Sequence, residues 1–295
     1  MDTYAEITLP DGATTTLHVA PASPVAADDL TEAPLALMLP AMGVPAGYYG
    51  PFLEELAAHG VTAAVADYPG QGESRPRIDR GHDYGYENLA HVWLPAVVKR
   101  LREVHDGPLV IVGHSLGGHV LLANLAGEDP LPVAGVVIGA ATPHWPTHDG
   151  VKTLVQTQFL GLVARLLGYW PGTRLGFGGQ QPRTLIREWA AFSRTGVLAP
   201  DGRSIGPGLR GRELPLLVID LDNDPLAPRR SVEAFAALAP DARVERWSFT
   251  KGPQDPGKPV DHYSFARSPE IIGERVATWC REATAGVTPG QSPSA

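Results

Sequence analysis

The sequence predicts an α/β fold: a mostly parallel central sheet flanked by helices, with a helical cap inserted after the sixth strand. Three observations carry this. Short apolar runs alternate with helical patterns from about residue 35 to 139 and again from 216 to 281; repeated strand–helix units build parallel sheets covered on both faces. Between 143 and 210 the alternation stops and helical periodicity runs on with no convincing strand. Finally, Leu109-Val110-Ile111-Val112 turns into a helical pattern within the five residues Gly113-His114-Ser115-Leu116-Gly117.

In chain order, residues 4–9 and 14–20 read as two strands joined at Pro10-Asp11-Gly12, a hairpin turn. Leu35–Leu39 is a buried strand, and a helix follows from Tyr48 to His59 with Phe52, Leu53 and Leu56 on one face and Gly60 as its stop. Residues 61–66 form the next strand. The helix after it spans Asn88 to Val104, and Pro95 inside it must either kink it or begin its second half. The strand at 109–112 and its helix follow, then a strand over 133–139. Within 143–210, an amphipathic helix carries Val151, Leu154, Val155, Phe159, Leu162, Val163 and Leu166, and a second covers Pro182 to Arg194. Strand 216–220, helix 230–238, strand 244–249 and helix 269–281 complete the series. The expected organisation is a core of 1–142 and 211–283, a cap of 143–210, and a Pro/Ser/Gly-rich tail of 284–295 that is expected to be disordered. An insertion leaving the carboxyl ends of parallel strands lands over the ligand crevice, so 143–210 reads as a lid.

The chemistry concentrates at Gly113-x-Ser115-x-Gly117. A strand that turns sharply into a helix leaves its pivot residue strained, and glycines two before and two after keep neighbouring backbone from clashing. The pivot hydroxyl then stands above the sheet beside free helix N–H groups that attract negative charge. A serine nucleophile needs a base, and the base an orienting acid. After strand 216–220 the chain reads Asp220-Leu221-Asp222-Asn223-Asp224, and any of the three aspartates could be that acid; Asp224, four residues before Pro228, is preferred. His262 is the histidine that follows both Ser115 and Asp224. The oxyanion donors expected are the backbone N–H of Leu116, next to the pivot, and one from the turn Pro40-Ala41-Met42-Gly43 after strand 35–39.

Composition narrows the classes further. The formal charge is −8 with 24 Lys and Arg scattered along the chain, which argues against nucleic acid and against an anionic membrane surface as partners. A single cysteine excludes an internal disulfide. No apolar stretch reaches membrane-spanning length, and residues 1–6 carry no basic region with an apolar run after it, so the expected location is cytoplasmic. No metal or cofactor is expected: His144 and His148 are four apart, but Pro146 argues against the helix that would align them. Aromatic residues of the cap (Trp145, Phe159, Trp170, Phe177 and Trp189) are expected to line an apolar substrate pocket.

Together Pro40-Ala41-Met42-Gly43, Asp67-x-x-Gly70-x-Gly72-x-Ser74, Gly113-His114-Ser115-Leu116-Gly117-Gly118, Asp224-x-x-x-Pro228 and His262 resemble the α/β-hydrolase superfamily over roughly 35–283. The match is narrower to a group of bacterial hydrolases of unassigned substrate, on Tyr169-Trp170-Pro171-Gly172, Arg187-Glu188-Trp189 and His262-Tyr263-Ser264-Phe265. The resemblance implies a Ser115–His262–Asp224 triad, Met42 as the second oxyanion donor, and cleavage of an ester or thioester, but no particular substrate; the cap aromatics make a small apolar acyl compound the expected one. An acyltransferase or a cofactor-free lyase or cyclase on the same scaffold is the alternative, and a non-catalytic small-ligand binding protein a second one. Oligomeric state is not written in the sequence.

Overall fold

The computed structural model describes residues 3–23, 33–222, 224–250, 252 and 260–285. Eight of its strands form one sheet. They are β1 (Thr3–Thr8), β2 (Thr14–Ala20), β3 (Leu35–Leu39), β4 (Thr62–Ala66), β5 (Leu109–His114), β6 (Ala134–Ile138), β9 (Pro215–Leu221) and β10 (Arg243–Phe249), in the spatial order β1-β2-β4-β3-β5-β6-β9-β10. β1 pairs antiparallel with β2, and β2 with β4; every other pairing is parallel. The hairpin at the edge and the parallel body are as the sequence predicts. β3, β4, β5 and β6 are buried along their whole length, which is why they read as continuous rather than alternating apolar runs.

Helices cover both faces. On one side α1 (Gly50–Ala58) and α10 (Glu270–Thr284) pack Phe52, Leu53, Ile272 and Val276 against Met38, Val65, Val112 and Ile138. On the other lie α2 (Tyr86–Asn88), α3 (Leu94–Arg102), α4 (Leu116–Leu125) and α9 (Arg229–Ala236), burying Trp93, Val97, Leu121 and Phe235. Pro95 sits in the first turn of α3, and a π-helical turn over Leu89–Trp93 joins α2 to α3. Proline cannot donate to the carbonyl four residues back, and the widened turn accommodates that missing bond. The expected single helix from 88 to 104 is therefore divided at this point.

The segment between β6 and β9 holds α5 (Val151–Leu167), α6 (Gly172–Leu175), α7 (Arg183–Thr195) and α8 (Gly206–Leu209). It corrects the expectation of a strand-free region. β7 (Tyr169–Pro171) and β8 (Gln180–Pro182) form a two-stranded antiparallel ribbon. Three residues per strand are too few for a period-2 pattern to register in a sequence. At the other end of the chain, Thr284 closes α10 instead of opening a tail, and 286–295 lie outside the described residues.

Candidate active site

Ser115 is the pivot between β5 and α4, at φ 52 and ψ −110. Such a conformation is uncommon for a residue with a side chain and persists only where its surroundings enforce it. The flanking glycines explain how. A Cβ on Gly117 would lie 2.2 Å from the Leu39 carbonyl oxygen, and one on Gly113 would lie 2.6 Å from the Gly117 carbonyl carbon. Strand, pivot and helix are packed backbone to backbone, leaving no room for a side chain at either position.

Asp224 and His262 meet at the carboxyl end of the sheet. His262 Nδ1–H donates to Asp224 Oδ2 over 2.6 Å, and both side chains are almost fully buried. The second carboxylate oxygen, Oδ1, accepts the backbone N–H groups of Leu226 and Ala227, each at 2.9 Å. One aspartate thus builds its loop with one oxygen and orients the imidazole with the other. Asp222 instead accepts the Thr250 hydroxyl at 2.7 Å, and Asp220 the Ser248 hydroxyl at 2.9 Å. Neither of those two touches His262. Most of the loop between β10 and His262, residues 253–259, lies outside the described residues.

Gly139 was unremarkable in the sequence beyond ending a strand. It adopts φ +56, and a Cβ there would lie 3.1 Å from Asp224 Oδ2 and 3.3 Å from His262 Nδ1. The carboxylate–imidazole pair rests on bare backbone. No local signal could have shown this, because the crowding comes from residues 85 and more positions away in the chain.

Ser115 and His262 open on one cavity of about 340 Å³, which Met42, Leu116 and Tyr263 also line. Among the described residues the Ser115 hydroxyl makes no hydrogen bond, so serine and imidazole share the cavity without a closed bond between them. Catalytic hydrogen bonds are often long before substrate binds. In the turn after β3, the Ala41 N–H donates to Tyr49 Oη at 2.9 Å and the Val44 N–H to the Ala41 carbonyl at 3.1 Å. Between them the Met42 N–H has no partner among the described residues, and neither has the Leu116 N–H at the start of α4. Two free donors flanking one serine suit an oxyanion.

Tyr49 ties that turn to the elbow. Having accepted the Ala41 N–H, it donates its own proton to His114 Nδ1 at 2.8 Å. His114 immediately precedes the serine, and its ring centroid is 4.8 Å from that of His262. Burial, with the nearby His262 charge adding to it, holds the His114 pKa well below the ordinary histidine range. A neutral ring at this place adds no positive charge beneath the imidazole above it.

His119 lies one turn into α4 and also borders the cavity. Its Nε2–H donates to the Ala141 carbonyl at 2.8 Å, and the Tyr86 hydroxyl donates to its Nδ1 at 3.0 Å. Burial pushes its pKa down to about 4 from 6.5, opposed in part by the Ala141 bond. The unfolded chain takes up this proton near pH 6.5 and the folded one only near 4. His119 therefore contributes stability above pH 6.5 that is lost as pH falls towards 4, amounting to roughly 3 kcal/mol. Melting of His119→Gln is expected to fall less between pH 7 and 4.5 than melting of the parent. Equal slopes would remove His119 from this account.

The aromatic expectations divide. Phe177 and Trp189 line the cavity. Trp170 does not: it is 2% exposed, packs with Ala164 and Ile186, and donates its indole N–H to the Phe177 carbonyl at 2.9 Å. Phe159 is 55% exposed, on the outer side of α5, because the helix turns Thr157 and Leu160 inward at that point. Trp145 is anchored through its backbone N–H to Ser193 and stays off the cavity. In place of these three the cavity takes Pro143, Thr153, Thr157 and Leu160, with His148 held between Thr153 Oγ1 and the Leu226 carbonyl. Of the three, only Trp170 is used in the inserted segment's own core. No Lys, Arg, Asp or Glu is among the lining residues. Among the described residues no group of three His, Cys, Asp or Glu is placed to hold a metal ion, and no helix is long and apolar enough to cross a membrane.

Comparison with known proteins agrees with this architecture. A family model described as the alpha/beta hydrolase family matches residues 36–270. A pimeloyl-[acyl-carrier protein] methyl ester esterase from Xylella fastidiosa is 27% identical over 249 residues, covering 76% of this chain and 89% of the relative. Among solved structures, an esterase from Exiguobacterium antarcticum superposes with a TM-score of 0.62 at 17% identity, over 95% of this chain and 100% of that one. A meta-cleavage product hydrolase from Pseudomonas fluorescens superposes with a TM-score of 0.58 at 16% identity, over 95% and 98%. At such identities the structural matches speak for the fold.

Proposed function

The chain belongs to the alpha/beta hydrolase family, and from that premise we propose that it cleaves a carboxylic ester or thioester through a covalent acyl-enzyme. In this reading the Ser115 hydroxyl attacks the carbonyl carbon while His262 Nε2 takes its proton. Asp224 keeps the imidazole proton on Nδ1 and stabilises the charge the ring acquires. The N–H groups of Leu116 and Met42 receive the oxyanion. Protonated His262 then hands its proton to the leaving alcohol or thiol. A water molecule, activated by the same ring, releases the acid and restores the serine. His262 must be neutral to accept that proton.

The observation that carries this reading is the buried 2.6 Å Asp224–His262 pair beside a strained serine on a shared cavity. The cap, residues 143–210, supplies Pro143, Leu160, Phe177 and Trp189 to the wall of that cavity, and the core adds Met42, Leu116 and Leu226. A cavity of about 340 Å³ without charged lining suits a neutral ester with a short or medium acyl chain. The methyl ester esterase among the relatives makes an ester the first class to test. Across a series of p-nitrophenyl esters, kcat/KM is expected to rise by up to about fourfold per added methylene, then fall once the chain exceeds the cavity. A fluorophosphonate probe is expected to label Ser115. An unlabelled serine would overturn the covalent mechanism.

A further inference from the structure

The whole-chain charge of −8 conceals a division. Residues 143–210 carry eight Lys and Arg against three Asp and Glu, whereas the rest of the chain carries sixteen against twenty-nine. The cap is cationic and the core strongly anionic. On the cap's outer side, α5 presents Val151, Val155, Phe159, Leu162 and Leu166, each between 54% and 71% exposed. Their spacing of four, four, three and four residues aligns them on one face of the helix. A contiguous exposed apolar stripe of this length on a folded domain marks a contact surface.

The charges beside the stripe identify what fits it. A groove between α5 and α7 runs along Leu162 and holds Arg165, Arg187 and Arg194. Arg194 donates to Gln158 at 3.0 Å, while Arg165 and Arg187 have no side-chain partner among the described residues. Among the described residues neither acidic group of the groove, Glu188 or Asp201, forms an ion pair with these arginines, which outnumber the two carboxylates. Glu188 turns both oxygens to backbone, accepting the Tyr86 and Asp201 N–H groups at 2.8 Å each. Asp149 pairs with Lys152 at the far end of the helix, and Asp201 is among the groove's lining residues. A second copy on the same face would set these cations against their own equivalents, since a two-fold interface joins identical patches. An apolar helix face bordered by arginines instead matches a lipid surface with anionic headgroups.

We propose that the outer face of α5 and the adjoining arginine groove dock the protein on an anionic lipid surface. The inner face of the same helix lines the cavity through Thr153, Thr157 and Leu160. Docking by the outer face would therefore hold the cavity beside the lipid; this last consequence rests on the esterase reading above, whereas the docking itself does not.

The test is co-sedimentation of the full chain with vesicles of phosphatidylcholine alone or with one-third phosphatidylglycerol. Binding to the anionic vesicles is expected to exceed that to neutral ones by about a hundredfold and to weaken at high salt. Leu162→Ser with Leu166→Ser, and separately Arg165→Gln with Arg187→Gln, should each reduce binding by tenfold or more. Both pairs are surface changes, so melting temperature and hydrolysis of a soluble p-nitrophenyl ester should be unaltered. Three results would overturn the proposal: no binding of the parent to anionic vesicles; a dimer in sedimentation equilibrium that the leucine pair abolishes; or binding of soluble polyglutamate, lost in the arginine pair, without vesicle binding. Intact vesicle binding together with an unlabelled Ser115 would reject the covalent mechanism alone.

Discussion

Ser115→Ala is expected to lower kcat on the best ester by a factor on the order of 10⁴ or more, leaving the residual rate that binding and the oxyanion donors can support. In the proposed mechanism the hydroxyl is the group that forms the new bond, which is why the expected loss is this large, and no other hydroxyl lining the cavity stands at the pivot between β5 and α4. Thermal stability should scarcely change. The strain at φ 52 resides in the backbone, which alanine shares, and the serine side chain makes no hydrogen bond that would be lost. Ser115→Gly should also be inactive but melt higher, because glycine adopts this conformation without penalty. Turnover of Ser115→Ala within tenfold of the parent, measured on protein free of contaminating esterase, would remove the serine from the mechanism.

Asp224→Asn is expected to cost about 10⁴ in kcat while leaving the fold intact. Asparagine retains an acceptor oxygen for the Leu226 and Ala227 N–H groups that Asp224 Oδ1 now receives. Its amide nitrogen then faces His262 Nδ1, where the carboxylate oxygen sits 2.6 Å away. To accept that N–H, the ring must move its proton to Nε2, the atom that has to take the serine's proton. Asp224→Ala should be equally inactive and also less stable by about 1–3 kcal/mol, since the buried Ala227 N–H and the part-buried Leu226 N–H lose their acceptor. Melting curves separate the variants: the asparagine protein should unfold near the parent and the alanine protein below it. An asparagine variant with near-parent activity would mean that the carboxylate does no orienting work.

Much of the arrangement was legible before any coordinate. The elbow could be read because its spacing is local: a Cβ on Gly113 would strike Gly117 within five residues of chain, although the one that Gly117 lacks would strike Leu39 in β3. Chain order singled out His262. Asp224 was harder, because turn-forming and acid roles favour the same residue type; in the structure it performs the turn role with one oxygen and holds the imidazole with the other. The pocket was read least well. Periodicity placed Phe159 on the apolar face of a helix, but that face points outward while Thr153, Thr157 and Leu160 line the cavity, and Trp170 went to the cap's own core.

What the sequence by itself determined is what short-range sterics and hydrophobic period encode: the strand–helix alternation, the inserted segment, the strained serine, and the candidates for base and acid. Tertiary structure alone decided which aspartate reaches His262, that Gly139 must leave space beside that pair, and that Tyr49 joins the Met42 turn to His114. It also decided the phase of α5, turning Thr157 and Leu160 to the cavity and Phe159 and Leu166 to the outside. The physical reason is common to all of these. Each depends on contacts between residues tens of positions apart, whose distances are set by how sheet, helices and insertion pack together and leave no imprint on the local pattern of the chain.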